Sequence, residues 1–283
     1  MPLEVSGAWM EFGGGLFAGP RKAALRGVDL RLPADGPGHI LAVVGESGSG
    51  KTTLTRLLLG LLAPTRGRVL WRGRDLAGLD AAARTAYRRD VQAVFQDPFG
   101  ACNPVYRIDR MLTLPAQRFG LARDAAEARA LAEAALEKVG LRPSETLGRF
   151  PHQLSGGQRQ RVMVARAVML RPRVLIADEP VSMVDASLRA TILESLWRLR
   201  QDGGMSLVYV THDLATAYQI ADSIVVMRHG EIVESGDAET TIRAPRHAYT
   251  RALLAALPPA DPTTGWALDD TTAAQPSTTE DRS

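Results

Sequence analysis

The sequence predicts an α/β fold: a mainly parallel sheet carrying helices, preceded by a small antiparallel β subdomain and interrupted by an inserted helical subdomain. Three observations predict it. A compact apolar run from His39 to Val44 stops at a glycine-rich turn and continues into a stretch of helical length from Thr52 to Leu62. Near-continuous apolar runs at residues 174–177 and 207–210 each end in polar residues, as strands buried on both faces do. The residues between them, from about Asp97 to Arg171, are Ala-rich and helical in pattern.

Taken in order, residues 1–37 read as short β segments, punctuated by Gly13, Gly14, Gly15, Gly19 and Pro20, with alternation over Val28 to Leu32. After the strand at His39–Val44 and the helix at Thr52–Leu62, short strands are expected at Val69–Trp71 and Val91–Phe95. An Arg-rich helical piece around Ala81–Arg88 lies between them. In the helical region, Asp124 and Glu127 resemble a capping box. Ala128, Leu131, Ala135 and Val139 then recur on one face until Gly140 stops the helix. Strands return at Val174–Ala177, Leu207–Val210 and Ile224–Met227. From Pro258 onward, Pro, Thr and acidic residues dominate, so residues 258–283 are expected to form a disordered tail.

Composition excludes several classes. With 283 residues, 45% apolar and 23% charged, the chain can bury a substantial core, and 34 basic against 31 acidic residues leave a net charge of only +3. No nucleic-acid-binding surface is indicated. The single cysteine, Cys102, cannot build a disulfide framework or a Cys-based metal cluster, and the five histidines show no close ligand pair. Neither a basic-then-apolar leader nor a run of about 18 apolar residues is present, so a cytoplasmic chain is expected.

The turn Gly45-Glu46-Ser47-Gly48-Ser49-Gly50-Lys51-Thr52 fits GxxxxGK[ST] between a strand and a helix, the context that motif requires. Glycines let backbone amides converge on phosphate oxygens, the helix N-terminus adds a favourable dipole, Lys51 reaches the phosphates, and Thr52 can ligate Mg²⁺. Thr53 follows as a further phosphate-contact candidate. Only Lys22, Lys51 and Lys138 are lysines, which sets Lys51 apart. An apolar strand then delivers Asp178, a candidate Mg²⁺ ligand, and Glu179, a candidate for polarising an attacking water. A P-loop nucleotide triphosphatase core follows.

Ser155 with Gln158 is a capping box, but the pair Gly156-Gly157 between them costs helix stability unless something approaches the backbone closely. A phosphate on that helix N-terminus would do so.

With these residues the chain resembles the nucleotide-binding subunit of an ATP-binding cassette transporter. The phosphate loop, Gln96, the Leu154–Gln158 signature, Asp178-Glu179, Asp185 and His212 stand in that family's order. The resemblance implies an ATPase that pairs head to tail with a second copy or a paralogue, so that Ser155, Gly156, Gly157 and Gln158 of one chain face the ATP of the other. It also implies that Gln96 senses Mg²⁺ and water, that His212 contacts the γ-phosphate, and that Asp185 lies at the seam. The segment Ser182-Met183-Val184-Asp185 departs from the commoner Ser-Ala-Leu-Asp. Phe12 is the expected adenine-stacking aromatic, with Trp9 as the alternative.

Two stretches resemble the peptide and nickel import branch: Phe95–Phe99 with Asn103-Pro104, and His247–Leu254, where Ala248 replaces a proline. Some relatives carry a C-terminal cysteine cluster for iron-sulfur binding, and this chain has no cysteine there. The resemblance implies two transmembrane permeases, a second ATPase and an extracytoplasmic solute-binding protein as partners, at the cytoplasmic face of the membrane. Peptide is the favoured cargo, with nickel or oligosaccharide as alternatives. DNA-repair and translation relatives are disfavoured, because residues 97–153 are too short for a coiled-coil arm. A non-hydrolysing regulator is disfavoured by the presence of Glu179 and His212.

Overall fold

The computed structural model describes residues 3–13, 21–32, 38–97, 103–182 and 186–256. The expected tail at 258–283 and Asp185 lie outside them.

Two strands open the chain, β1 (Leu3–Phe12) and β2 (Lys22–Arg31). They are longer than the broken segments the glycines suggest. The reason is pairing: β1 is flanked by antiparallel partners on both sides, and register shifts between Val5 and Glu11 absorb its irregularities. Next come β3 (Ile40–Val44), α1 (Lys51–Leu58), β4 (Arg66–Trp71), β5 (Arg74–Asp75), α2 (Ala81–Asp90) and β6 (Val91–Val94). The helical stretch holds α3 (Ile108–Arg118), α4 (Ala125–Lys138), α5 (Pro143–Thr146) and α6 (Gly156–Met169). The chain continues with β7 (Val174–Asp178), α7 (Ala186–Gly203), β8 (Ser206–Thr211), α8 (Leu214–Ile220), β9 (Ser223–Arg228), β10 (Glu231–Asp237), α9 (Ala238–Arg243) and α10 (Ala248–Ala255).

Helix α1 ends four residues before the expected Leu62. Gly60 adopts φ +64°, a left-handed conformation that closes the helix, and the amides of Leu61 and Leu62 fold back onto the Arg56 carbonyl. In α4, Asp124 caps the Glu127 amide (2.8 Å), but the Glu127 carboxylate returns to the amide of Arg123 rather than that of Asp124. The reciprocal box is thus shifted by one residue. Its buried face is Ala128, Ala132, Ala135 and Leu136, with Leu131 only partly covered.

The strands form two sheets. A four-stranded antiparallel sheet has the order β2-β1-β4-β5, and a six-stranded sheet the order β10-β9-β3-β8-β7-β6. From β9 to β6 the larger sheet is parallel, with β10 added antiparallel at the edge. Every residue of β3 and β8 is buried, as an apolar run covered on both faces requires. One face carries a core of Leu207, Tyr209, Ile224 and Val226 that continues into α3, α4, α6 and α7. The other face packs Val43, Ile176, Val208 and Val210 against α1 and the small sheet. Helix α6 joins the helical region to the sheet: Leu154, Val162, Met163 and Val164 are buried in the same core as Leu112 and Leu136. No helix among the described residues is long and apolar enough to cross a membrane.

Candidate nucleotide site

Parallel pairing brings four chain turns to one edge of the sheet. Val44 pairs with Thr211, Asp178 with Val210, and Val94 with Ala177, so β3, β8, β7 and β6 end side by side. The residues that follow them, Gly45, His212, Glu179 and Gln96, are therefore brought together at the carboxyl edge, where open α/β sheets bind ligands.

The phosphate loop depends on two glycines in particular. Gly45 has φ +152°, and a Cβ there would lie 2.2 Å from the Met227 carbonyl oxygen; at Gly50 (φ +108°) it would lie 2.8 Å from that of Ala24. Neither position admits a side chain without moving backbone. Lys51 is buried and its ammonium donates to the carbonyls of Gly45 (2.6 Å) and Glu46 (2.9 Å). Burial holds its pKa below the usual lysine value, against the opposing pull of Glu179, Asp178 and Glu46.

Glu179 follows β7 with φ +47°, a left-handed conformation uncommon for a residue with a side chain. The turn is held because its amide donates to Val210 O (2.8 Å) and its carbonyl accepts from both the amide and the hydroxyl of Ser182. Its carboxylate lies 3.0 Å from Nδ1 of His212. Asp178, one residue earlier, is pushed up to about 6, first by burial and second by the neighbouring Glu179.

A cleft of about 1030 Å³ opens over this edge. It is lined by Phe12, Glu46, Ser47, Gly48, Gly50, Lys51, Thr52, Thr53, Gln96, Glu179 and His212, all singled out by sequence. Gly45, Ser49 and Asp178 do not line it, and Ser49 is buried beneath the loop. Phe12 is 43% exposed at the cleft, whereas Trp9 does not line it and instead sits beneath the Arg66 guanidinium (5.8 Å).

Ser155, Gly156, Gly157 and Gln158 do not line this cleft. They open α6 with the reciprocal cap expected: Ser155 Oγ accepts from the Gln158 amide (3.2 Å), and Gln158 Oε1 accepts from the Ser155 amide (2.9 Å). Gly156 faces open space, so a ligand approaching α6 from outside meets bare backbone.

Sequence reasoning missed part of the wall. Lys22, Ala23, Ala24 and Arg26 of β2, His229 and Gly230 of the β9–β10 turn, and Leu253 of α10 also line the cleft. That turn is tied to the loop, because the Gly230 amide donates to Ser49 O (2.9 Å), and the Arg26 amide in turn donates to Gly230 O (2.8 Å). The scarcity of lysine was the one available signal for Lys22.

A phosphate loop beside a Glu–His pair would suit many nucleotide hydrolases, and similarity to known proteins narrows the choice. Residues 25–182 match the family described as ABC transporter. The chain belongs to the ABC transporter family. It is accordingly an ATP-binding chain and an ATPase. A second match, to the region described as oligopeptide/dipeptide transporter, C-terminal region, covers residues 233–283. The chain is similar to the oligopeptide transport ATP-binding protein OppF of Escherichia coli (41% identical over 239 residues, 84% of this chain and 70% of that protein). It is also similar to the dipeptide transport ATP-binding protein DppF of the same organism, 44% identical over 250 residues, covering 88% and 73% respectively. Among solved structures, the fold resembles the dimeric bacterial ABC transporter cassette MJ0796 with TM-score 0.73 at 29% identity, covering 83% of this chain and 98% of that one. The same cassette in a post-hydrolysis state bound to ADP and Pi gives TM-score 0.73 at 28% identity, with the same coverage.

Proposed function

We propose that this ABC-family chain is the ATP-hydrolysing subunit of a peptide importer. Hydrolysis rests on one observation, the Glu179 carboxylate held 3.0 Å from His212 at the rim of a phosphate-loop cleft. The peptide cargo rests on the C-terminal match and on the names of the relatives.

In this reading the loop Gly45–Thr53, through amides other than that of Glu46, and the Lys51 ammonium hold the phosphates. Most of the acceleration comes from that positioning and charge stabilisation. Glu179 accepts the proton of the attacking water, and His212 orients that carboxylate and contacts the terminal phosphate. Gln96 links the site to the helical subdomain, and Phe12 stacks on adenine.

The site fits Mg²⁺. Thr52 and Gln96 line the cleft and Asp178 directly precedes Glu179, and all three offer hard oxygen donors. No cage of three or more His, Cys, Asp or Glu occurs among the described residues, which suits an ion held largely by phosphates and water. Bound there, the ion would neutralise phosphate charge. Ser155, Gly156, Gly157 and Gln158 serve the nucleotide of a second ATPase, a copy or a paralogue, with Asp185 at the seam.

Residues 1–257 act as the nucleotide-binding domain, with about 97–171 as its inserted helical subdomain and 258–283 as a tail without chemistry. The domain sits at the cytoplasmic face of the membrane against two permeases, which receive cargo from an extracytoplasmic solute-binding protein. The test is recovery of tagged Glu179→Gln chain from native membranes with ATP and Mg²⁺. Two polytopic permeases, a second cassette ATPase and a peptide-binding solute receptor are expected. Recovery with ribosomal or DNA-repair proteins from the soluble fraction would overturn the reading.

A further inference from the structure

The C-terminal helix reaches the phosphate loop through one atom. Tyr249, in the first turn of α10, is 6% exposed, and its phenolic oxygen accepts the Glu46 amide at 3.0 Å, a contact spanning 203 residues of sequence. The ring that carries this oxygen is held on several sides. The Arg228 guanidinium lies 4.8 Å from its centre, and the Tyr249 amide donates to Nδ1 of His247, the cap of α10 (3.1 Å). The segment before it is tied down by Glu234 of β10, whose carboxylate accepts the amides of Arg246 (2.7 Å) and His247 (3.1 Å).

The Gly45–Glu46 peptide is therefore gripped at both ends. Its carbonyl, Gly45 O, accepts from Lys51 and its N–H donates to Tyr249. The two grips differ in what a nucleotide does to them. Phosphate oxygens compete with the Gly45 and Glu46 carbonyls for the Lys51 ammonium, so binding loosens that side. The Tyr249 bond uses an N–H and competes with no cation, so it can hold through binding. One turn further along α10, Leu253 lines the same cleft.

We infer that Tyr249 is a positioning residue of the nucleotide site: its hydroxyl fixes the first peptide of the phosphate loop, making the β10–α10 segment part of the ATP-binding apparatus. This inference rests on the ATPase reading. A loop already set in its binding shape pays less ordering entropy when the phosphates arrive, so loss of the anchor weakens affinity rather than chemistry.

Tyr249→Phe in the full chain keeps the ring and the Arg228 contact and removes only the oxygen. The Kd for ADP by calorimetry should rise about three- to tenfold, the range expected for one net hydrogen bond. In the assembled transporter the KM for ATP should rise similarly, while kcat at saturating ATP stays within about twofold. The unfolding midpoint without nucleotide should fall by no more than about 6 °C, the loss of one net hydrogen bond. Arg228→Gln, which keeps the hydroxyl, should leave the Kd within about twofold of the parent. An unchanged ADP affinity in Tyr249→Phe overturns the inference. Weakened affinity accompanied by a loss of about 10 °C or more in the midpoint also overturns it, since that marks a packing defect. A parent chain that binds ADP but hydrolyses no ATP in the assembled transporter overturns the ATPase reading, and leaves the comparison of affinities standing.

Discussion

Burial and the neighbouring Glu179 raise the Asp178 carboxyl to about 6, and that shift has a stability consequence of definite sign. A carboxyl whose folded pKa exceeds its unfolded value stabilises the fold when protonated. The contribution is complete below about pH 4 and is lost as pH rises through about 6. In chelator, the chain should therefore lose stability between about pH 4 and 6. Asp178→Asn should remove that slope and be more stable than the parent at pH 7.5 by up to about 2 kcal/mol, while hydrolysing poorly. Denaturant unfolding across pH checks it, and parallel pH profiles for parent and variant would count against the assignment. Glu179 holds a left-handed backbone that glycine would adopt more readily, at a position where its carboxylate faces His212.

At the scale of single elements, the start of α6 separates stability from activity. Gly156 lies in the first helical turn with open space where a Cβ would stand, so Gly156→Ala should raise the stability of the isolated chain by about 0.5–1 kcal/mol. If a second subunit's nucleotide docks there, the same change should slow hydrolysis in the assembled transporter at least about tenfold; thermal melts and steady-state rates measure the two effects. The elements also show what sequence could reveal. The phosphate loop, the α6 cap and β7 with its two carboxylates were legible because each is a contiguous stretch whose residue types are dictated by local backbone geometry. The α1 terminus was misplaced because apolar Leu61 and Leu62 continue the helical pattern past Gly60, where the backbone turns left-handed. Strand β10 left little signal, since it is an edge strand with no fully buried residue. The Tyr249–Glu46 contact left none, because nothing local in either segment refers to the other.

Across the whole molecule, the larger sheet is covered on one side by the helical core and on the other by α1 with the small sheet, and the cleft lies where loops from both sides meet. Residues from β1, β2, the phosphate loop, Glu179 after β7, the β9–β10 turn and α10 line the cleft, so nucleotide binding should stabilise the chain as a unit. ADP at 100 times its Kd should add about 2.7 kcal/mol and raise the melting midpoint by about 5–10 °C. Lys51→Ala should abolish most of that gain; a gain equal to the parent's would show that nucleotide binds elsewhere. The central claim is that Glu179 carries hydrolysis in an ATP-driven transport subunit, and steady-state ATPase turnover of Glu179→Gln in the assembled transporter tests it most directly. The variant should still bind ATP, yet turn it over about a hundredfold to ten-thousandfold more slowly than the parent. Turnover at the parent's rate would contradict the account.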